Sequence, residues 1–274
     1  MNFITRQHSV LKACLTVNIR ILIMTLLVIS VTSTLRADDS RTLRLFNDRE
    51  ILSHQYHTFC LDKQGYLWIG SDLGLVKFDG SDYDVFRLDG DTPGSISSNL
   101  VLDILCDSKG RIWVATADGM NLYDVTTNSF KTVKIPGISF KGYIMSISEQ
   151  ADGSIAFIVS GVGFYIVDDP VDGILEAVRV GYVPEHSDIN SLVATPDGGF
   201  LCGSHYGNIV RIMPNGKMTS KHVTNDFFIG IRRAGENHAI AYTSKDIWRI
   251  NFITMEIDEI DISMLEGHII NNIS

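Results

Sequence analysis

The sequence predicts an all-β fold, a β-propeller of about five four-stranded antiparallel blades followed by the first strand of a sixth, so that the ring is incomplete. Three observations carry this expectation. The stretches His57 to Asp79 and Val101 to Asp124 repeat one pattern at an offset of 45 residues, each holds a D-x-x-G turn signal between β-rich runs, and the pattern recurs with decay further along the chain. Eight pairs share the 45-residue offset: Asp62/Asp107, Gly65/Gly110, Leu67/Ile112, Trp68/Trp113, Ser71/Thr116, Gly74/Gly119, Phe78/Tyr123 and Asp79/Asp124. So many coincidences at one spacing exclude an accident of composition.

The chain has 274 residues and is 45% apolar, enough for a packed core, which excludes disordered and fibrous classes. Residues 1–37 contain Arg6, Lys12, Arg20 and Arg36 and no acid, and Ile21 to Val31 is a short, mostly apolar run. A basic stretch, a short apolar stretch and a small residue before Asp38-Asp39 read as a secretory signal ending at Ala37, with an uncleaved anchor as the alternative. Cys14 precedes the apolar run and does not fit a lipid-attachment site. Without the leader's four basic residues, the remainder carries 19 basic and 32 acidic residues, a formal charge of −13. Such a balance argues against nucleic acid as a partner.

Within one repeat, an apolar run (Thr58 to Leu61; Val101 to Leu105) leads into D-x-x-G. Asp62 and Asp107 can accept backbone hydrogen bonds at the first turn position, while Gly65 and Gly110 supply the left-handed conformation that closes the hairpin. The next strand places Leu67 and Ile69 on one face and Trp68 on the other, so both faces are apolar and both need cover. Trp68 and Trp113 are therefore expected to pack between blades rather than to face a ligand. Ser71 to Gly74 and Thr116 to Gly119 make a second turn into a third strand, and a fourth follows in Tyr83 to Leu88 and Ser129 to Ile135. A single sheet of this kind cannot bury both faces alone, which is why such units come in series.

The third copy keeps Asp152, Gly153, Gly163 and Asp168 but has Ala156 where Trp stood. The fourth keeps Asp197, Gly198, Ser204 and Gly207. A fifth, Phe228 to Asn251, places Asn237 and Asp246 at the two turn glycines, and both residues tolerate the left-handed region. The domain is thus expected over 38–274, with repeats near 51–87, 100–134, 143–180, 188–223 and 227–262 and a truncated start at 268–274. The chain reads as part of a longer protein. Cys60, Cys106 and Cys202 lie in apolar β runs and read as small buried side chains. Cys106 matches Leu61 rather than Cys60, which points the first two in opposite directions within the repeat, so no disulfide between them is expected.

The segments G-x-L-W-I-G-S-x-x-G-L and G-R-I-W-V-A-T-x-x-G-M resemble the two-component regulator propeller repeat, and Asp89 to Val101 resembles its lead-in to the next blade. The resemblance covers about Ile51 to Ile250, most strongly in the first two repeats. It implies an exported, periplasmic sensor region of a Bacteroides-type hybrid two-component histidine kinase. Such sensors respond to oligosaccharides, form part of a receptor that can be a homodimer, and meet the membrane only through the leader or the missing C-terminal part. The chain departs from the whole-receptor pattern in having no kinase or receiver segment, so no phosphoryl transfer is expected of it.

Its histidines show no two-ligand spacing, and Asp82, Asp84, Asp89 and Asp91 read as solvated turn acids, with Pro93 at a ligand position of a calcium-like loop. No metal, cofactor or catalytic group is expected. What remains is the end of the blades where the turns between second and third strands converge. There Asp72, Asp118, His205, Tyr206 and Lys245 would suit a small oligosaccharide, with Tyr206 as a stacking surface. The alternatives are a streptogramin-lyase-like enzyme, for which His205 is the one well-placed histidine, and a protein-interaction scaffold.

Overall fold

The computed structural model describes residues 55–138, 142–170, 173–182 and 188–262. The leader, the segment Arg41 to Phe46 and the start of a sixth repeat at 268–274 lie outside the described residues. Among the described residues, five antiparallel four-stranded sheets follow one another along the chain, and in each the strands pair in sequence order. Blade 1 comprises β1 (Tyr56–Leu61), β2 (Leu67–Ser71), β3 (Gly74–Phe78) and β4 (Tyr83–Phe86), and blade 2 comprises β5 (Val101–Cys106), β6 (Ile112–Thr116), β7 (Gly119–Asp124) and β8 (Ser129–Thr132). Blade 3 is β9 (Ile144–Glu149), β10 (Ile155–Val159), β11 (Gly163–Val167) and β12 (Ala177–Tyr182). Blade 4 is β13 (Ile189–Ala194), β14 (Phe200–Ser204), β15 (Asn208–Ile212) and β16 (Met218–His222), and blade 5 is β17 (Gly230–Arg233), β18 (His238–Tyr242), β19 (Ile247–Asn251) and β20 (Ile257–Ile260).

The D-x-x-G turn explains the recurring tryptophan. The Asp62 carboxylate accepts from the Gln64 and Tyr66 amides at 3.0 and 2.9 Å, and its other oxygen accepts from Trp68 Nε1 at 2.8 Å. Asp107 does the same for Lys109, Arg111 and Trp113. One buried acid thus closes the hairpin and satisfies the indole N–H, a charge-assisted bond of about 1.5–3 kcal/mol. Gly65 and Gly110 adopt φ of 91° and 80°, the left-handed conformation that returns their amides to the Asp62 and Asp107 carbonyls. In blades 3 and 4 the amides of Gly153 and Gly198 return instead to Gln150 and Thr195. Asp152 and Asp197, which look like the same aspartate in the sequence, therefore stand two residues further along. The acid and the tryptophan disappear together: Ala156 and Leu201 occupy the Trp68 position. Asp197 instead holds the buried Arg211 guanidinium at 2.6 and 2.5 Å.

Packing between blades uses opposite faces of consecutive sheets. Trp68 and Leu75 of blade 1 lie in one cluster with Ile104, Ile112 and Val114 of blade 2. On blade 2's other face, Trp113, Met120 and Leu122 pack with Ile147, Phe157 and Tyr165 of blade 3. Ala156, Ile158 and Phe164 of blade 3 then meet Leu192, Cys202 and Val210 of blade 4, and Leu201 and Ile209 of blade 4 meet Phe228, Ile231 and Trp248 of blade 5. The tryptophans thus lie between blades. Among the described residues, the outer face of blade 1 carries Phe59 and Leu61, 43% and 67% exposed, and that of blade 5 carries the exposed Arg249.

This alternation corrects the reading of the cysteines. Cys60 and Cys106 form a disulfide, with Cα atoms 6.2 Å apart. Cys60 pairs across its sheet with Trp68 and Cys106 with Ile112, so they lie on opposite faces of their own repeats. Opposite faces are the ones that meet when consecutive blades stack, so the offset that argued against the bond is what permits it. Cys202 is a free, buried thiol whose pKa is pushed up by burial.

The inner strands are joined around the axis by side chains. Those of blades 1 to 4 each bulge by one residue that is skipped in the ladder register, at His57, Leu102, Met145 and Asn190. Beside these bulges, Thr58 Oγ1 donates to Asp103 at 3.2 Å, Asp103 accepts the Ile147 amide at 3.0 Å, Ser148 Oγ accepts the Ala194 amide at 2.9 Å, and Asn190 donates to the Phe228 carbonyl at 2.5 Å. Arg232 of blade 5 reaches back to Asp103 of blade 2 at 3.0 Å.

Replacing Cys60 and Cys106 by serine removes a cross-link across 46 residues of chain. The expected cost is about 2–4 kcal/mol. It is read as a lowered urea midpoint under oxidising conditions; a midpoint equal to that of the unaltered protein would mean that the bond does not constrain the blades.

Candidate functional site

The ends of the blades that carry the β2–β3 turn and its equivalents also carry the connections between blades, because strand direction alternates within each sheet. A hydroxyl closes most of these turns. Ser71 Oγ donates to the Gly74 carbonyl and Thr116 Oγ1 to that of Gly119, both at 2.9 Å, and Thr243 Oγ1 accepts the Lys245 and Asp246 amides. Of the residues the sequence singles out here, Asp72 and Asp118 lie in the turns of blades 1 and 2. The Asp72 amide donates to the Gln55 carbonyl at 3.3 Å and the Asp118 amide to Thr116 Oγ1 at 3.2 Å.

His205, Tyr206 and Lys245 belong to blades 4 and 5, and a connecting loop gathers them. The loop between β16 and β17 folds back on Gly207. The amides of Val223 and Thr224 donate to the Gly207 carbonyl at 3.0 and 3.3 Å, and the Phe228 amide donates to Ser204 at 3.2 Å. A Cβ at position 207 would stand 1.8 Å from the Thr224 carbonyl oxygen, so only glycine admits this approach. The fold-back sets Phe227 edge-on to His205, ring centroids 6.1 Å apart and planes at 88°, and leaves Asp226 3.7 Å from Lys245 Nζ.

On the other side of His205, its amide donates to the Asp188 carbonyl at 3.0 Å. The Asp188 carboxylate takes the Tyr206 hydroxyl, and that hydrogen bond, reinforced by the carboxylate's charge, pushes the phenol pKa up. Asp188 itself has φ of 42°, a left-handed conformation uncommon outside glycine. The product is a surface with two exposed aromatic rings, Tyr206 at 57% and Phe227 at 56%, flanked by Asp188, Asp226, His205 and Lys245. Flat apolar rings beside both donors and acceptors can stack on a sugar ring and hydrogen-bond its hydroxyls. Phe227, Asp188 and Asp226 were not singled out in the sequence, since they sit in connections outside the repeat register. Among the described residues, no group of three or more His, Cys, Asp or Glu side chains is placed to hold a metal ion.

Repeats of this construction define a propeller of modular blades, and the comparisons with known proteins name the repeat. Residues 50–72 and 95–118 match the family model "two component regulator propeller". The matched segments hold the first turn and tryptophan strand of blade 1 and their counterparts in blade 2. The fold is similar to that of the extracellular domain of a hybrid two component system, BT3049, from B. thetaiotaomicron, with a TM-score of 0.62 and 20% identity, covering 76% of this chain and 30% of that one. It is also similar to the extracellular domain of the hybrid two component system BT4673 from the same organism, with a TM-score of 0.50 and 18% identity, covering 76% and 36%. A gluconolactonase, XC5397 from Xanthomonas campestris, shares the fold at a TM-score of 0.55 and 11% identity, covering 75% and 72%. The chain thus spans about a third of the length of the two extracellular domains. Comparison with curated protein sequences finds no match.

One titratable group at this end of blade 1 gives a pH prediction. Half-buried His57 has its pKa lowered from 6.5 by desolvation, with the Asp72 charge acting in the opposite direction. The unfolded chain therefore binds this proton more readily than the folded one, so the stability held above pH 6.5 is lost as pH falls below it. Asp72→Asn should lower the His57 midpoint further, as followed by NMR titration of the ring; a midpoint that rises would show that the acid does not act on it.

Proposed function

We propose that this chain is part of the exported, ligand-sensing propeller of a hybrid two-component system, and that it works by binding rather than catalysis. The observation that carries the reading is the match of residues 50–72 and 95–118 to the two-component regulator propeller. The fold likeness to extracellular domains of such systems supports it. On this reading the domain lies in the periplasm, and the relay of the signal falls to parts of the receptor outside this chain.

The ligand is a glycan-derived oligosaccharide seated on the Tyr206 and Phe227 rings. Asp188 and Asp226 accept from its hydroxyls, and Lys245 and His205 donate. This assignment draws support from the exposure of two large aromatic side chains beside two carboxylates. Asp72 and Asp118 stand in the turns of other blades and are left for a longer ligand or for none. For a lyase-type reading, the ring contact of His205 is the edge of Phe227 rather than a second polar group.

A thermal-shift screen against neutral arabino-, xylo-, manno- and fructo-oligosaccharides tests the proposal. At least one class should raise the melting temperature, and Tyr206→Ala and Phe227→Ala should each weaken binding about two- to tenfold, in keeping with an aromatic contact worth about 0.5–1.5 kcal/mol. Absence of any shift, or full affinity in both variants, would sink the assignment.

A further inference from the structure

At the end of the blades opposite to that surface, the inner strands surround a cavity of about 450 Å³. Its walls come from blades 2 to 5, from the last residues of β5, β9, β13 and β17 and the turn after β9. Leu105, Ile147, Leu192 and Val193 give it an aliphatic lining, and two adjacent arginines, Arg232 and Arg233, face it together with Ser108 and Glu149.

The charged groups at this mouth are unequally committed. Both oxygens of Glu149 accept from Ser108, one from its amide at 2.8 Å and the other from its hydroxyl, which ties the acid to blade 2. Arg232 donates through Nη1 to the Ile231 carbonyl at 3.2 Å and through Nη2 to Asp103 at 3.0 Å. These two bonds fix the guanidinium and leave further N–H donors of its five. Its side chain is 27% exposed while that of Asp103 is 5% exposed, and Asp103 is not among the residues that line the cavity. Arg233 donates through Nε and Nη2 to the Gly235 and Glu236 carbonyls at 3.1 and 3.2 Å. Two anchored guanidinium groups with donors to spare thus line the same cavity as the aliphatic side chains, Arg233 also lying 5.7 Å from the Phe252 ring centroid, in a protein of formal charge −9.

We propose that this axial cavity binds a small organic carboxylate, its oxygens on Arg232 and Arg233 and its carbon skeleton against Ile147 and Leu192. Planar donor forks match a carboxylate. The aliphatic lining gives a reason for a carbon skeleton that inorganic phosphate cannot supply. The same chemistry is offered by an acidic sugar such as a hexuronate and by a short-chain fatty acid. Because Arg232 also holds Asp103, the ligand would share a cation with the group that joins blade 5 to blades 1, 2 and 3.

Calorimetric titration of the full chain at fixed ionic strength tests this with four probes: galacturonate, galactose, butyrate and inorganic phosphate. Saturable binding by galacturonate or butyrate, and not by galactose, is expected, and whichever of the two binds identifies the source. Arg233→Gln should weaken that binding about tenfold or more, as the loss of a charged hydrogen bond does. It is the decisive variant because it leaves the Arg232 pair to Asp103 intact. Tyr206→Ala should leave carboxylate binding unchanged, which separates this site from the oligosaccharide surface at the other end. Equal binding of galactose or phosphate, unchanged affinity in Arg233→Gln, or absence of binding by both carboxylates overturns the proposal.

Discussion

A buried carboxylate at the axis, Asp103, fixes how the blades sit relative to one another. It accepts from Thr58 of blade 1, from its own neighbour's amide at Ile104, from the Ile147 amide of blade 3 and from Arg232 of blade 5. An unpaired charge in this position would cost several kcal/mol, and four donors from four blades remove that penalty only when all are in place. Apolar packing between sheets is strong but permissive about sliding and rotation. Directional bonds to one acid are not, so the axis supplies the specificity that the interblade clusters lack.

Away from the axis, each blade needs a local device to hold its first hairpin and fill the space beside it. Blades 1 and 2 use one aspartate for turn and indole together, as at Asp107 and Trp113. With Gln150 or Thr195 in that position no carboxylate waits for an indole, and Ala156 and Leu201 stand in its place. An indole N–H buried without an acceptor would be destabilising, so the two residues change as a unit. Blade 4 relocates its charge pair to Asp197 and Arg211. The decay of the repeat along the chain is therefore an exchange of one satisfied arrangement for another.

What the sequence made legible was local. Turn glycines, the tryptophan strand and the direction of each turn recur every 43 to 45 residues, because each answers to constraints within one hairpin. Asp72, Asp118, His205, Tyr206 and Lys245 could all be placed at one end of the molecule from strand direction alone, whereas nothing in that direction told that a loop folding back on Gly207 gathers only the last three. Superposed repeats set Cys60 and Cys106 on opposite faces, which hides their bond, because contact in this fold joins unlike faces of successive copies. Asp103 looked like one polar residue in a strand, and its partners lie 45, 44 and 129 positions away. Phe227 and Asp226 fall in a connection with no repeat register, where only the close approach at Gly207 brings them in.

Among the described residues, the outer faces of blades 1 and 5 are unlike. Blade 1 presents Phe59 and Leu61, and blade 5 presents Arg249 with Asp258 beside it at 3.2 Å. Whatever stacks next on the blade 1 side would be held by burial of apolar surface, and whatever stacks next on the blade 5 side by matching charges. The series therefore has a direction, and its two neighbours are not interchangeable.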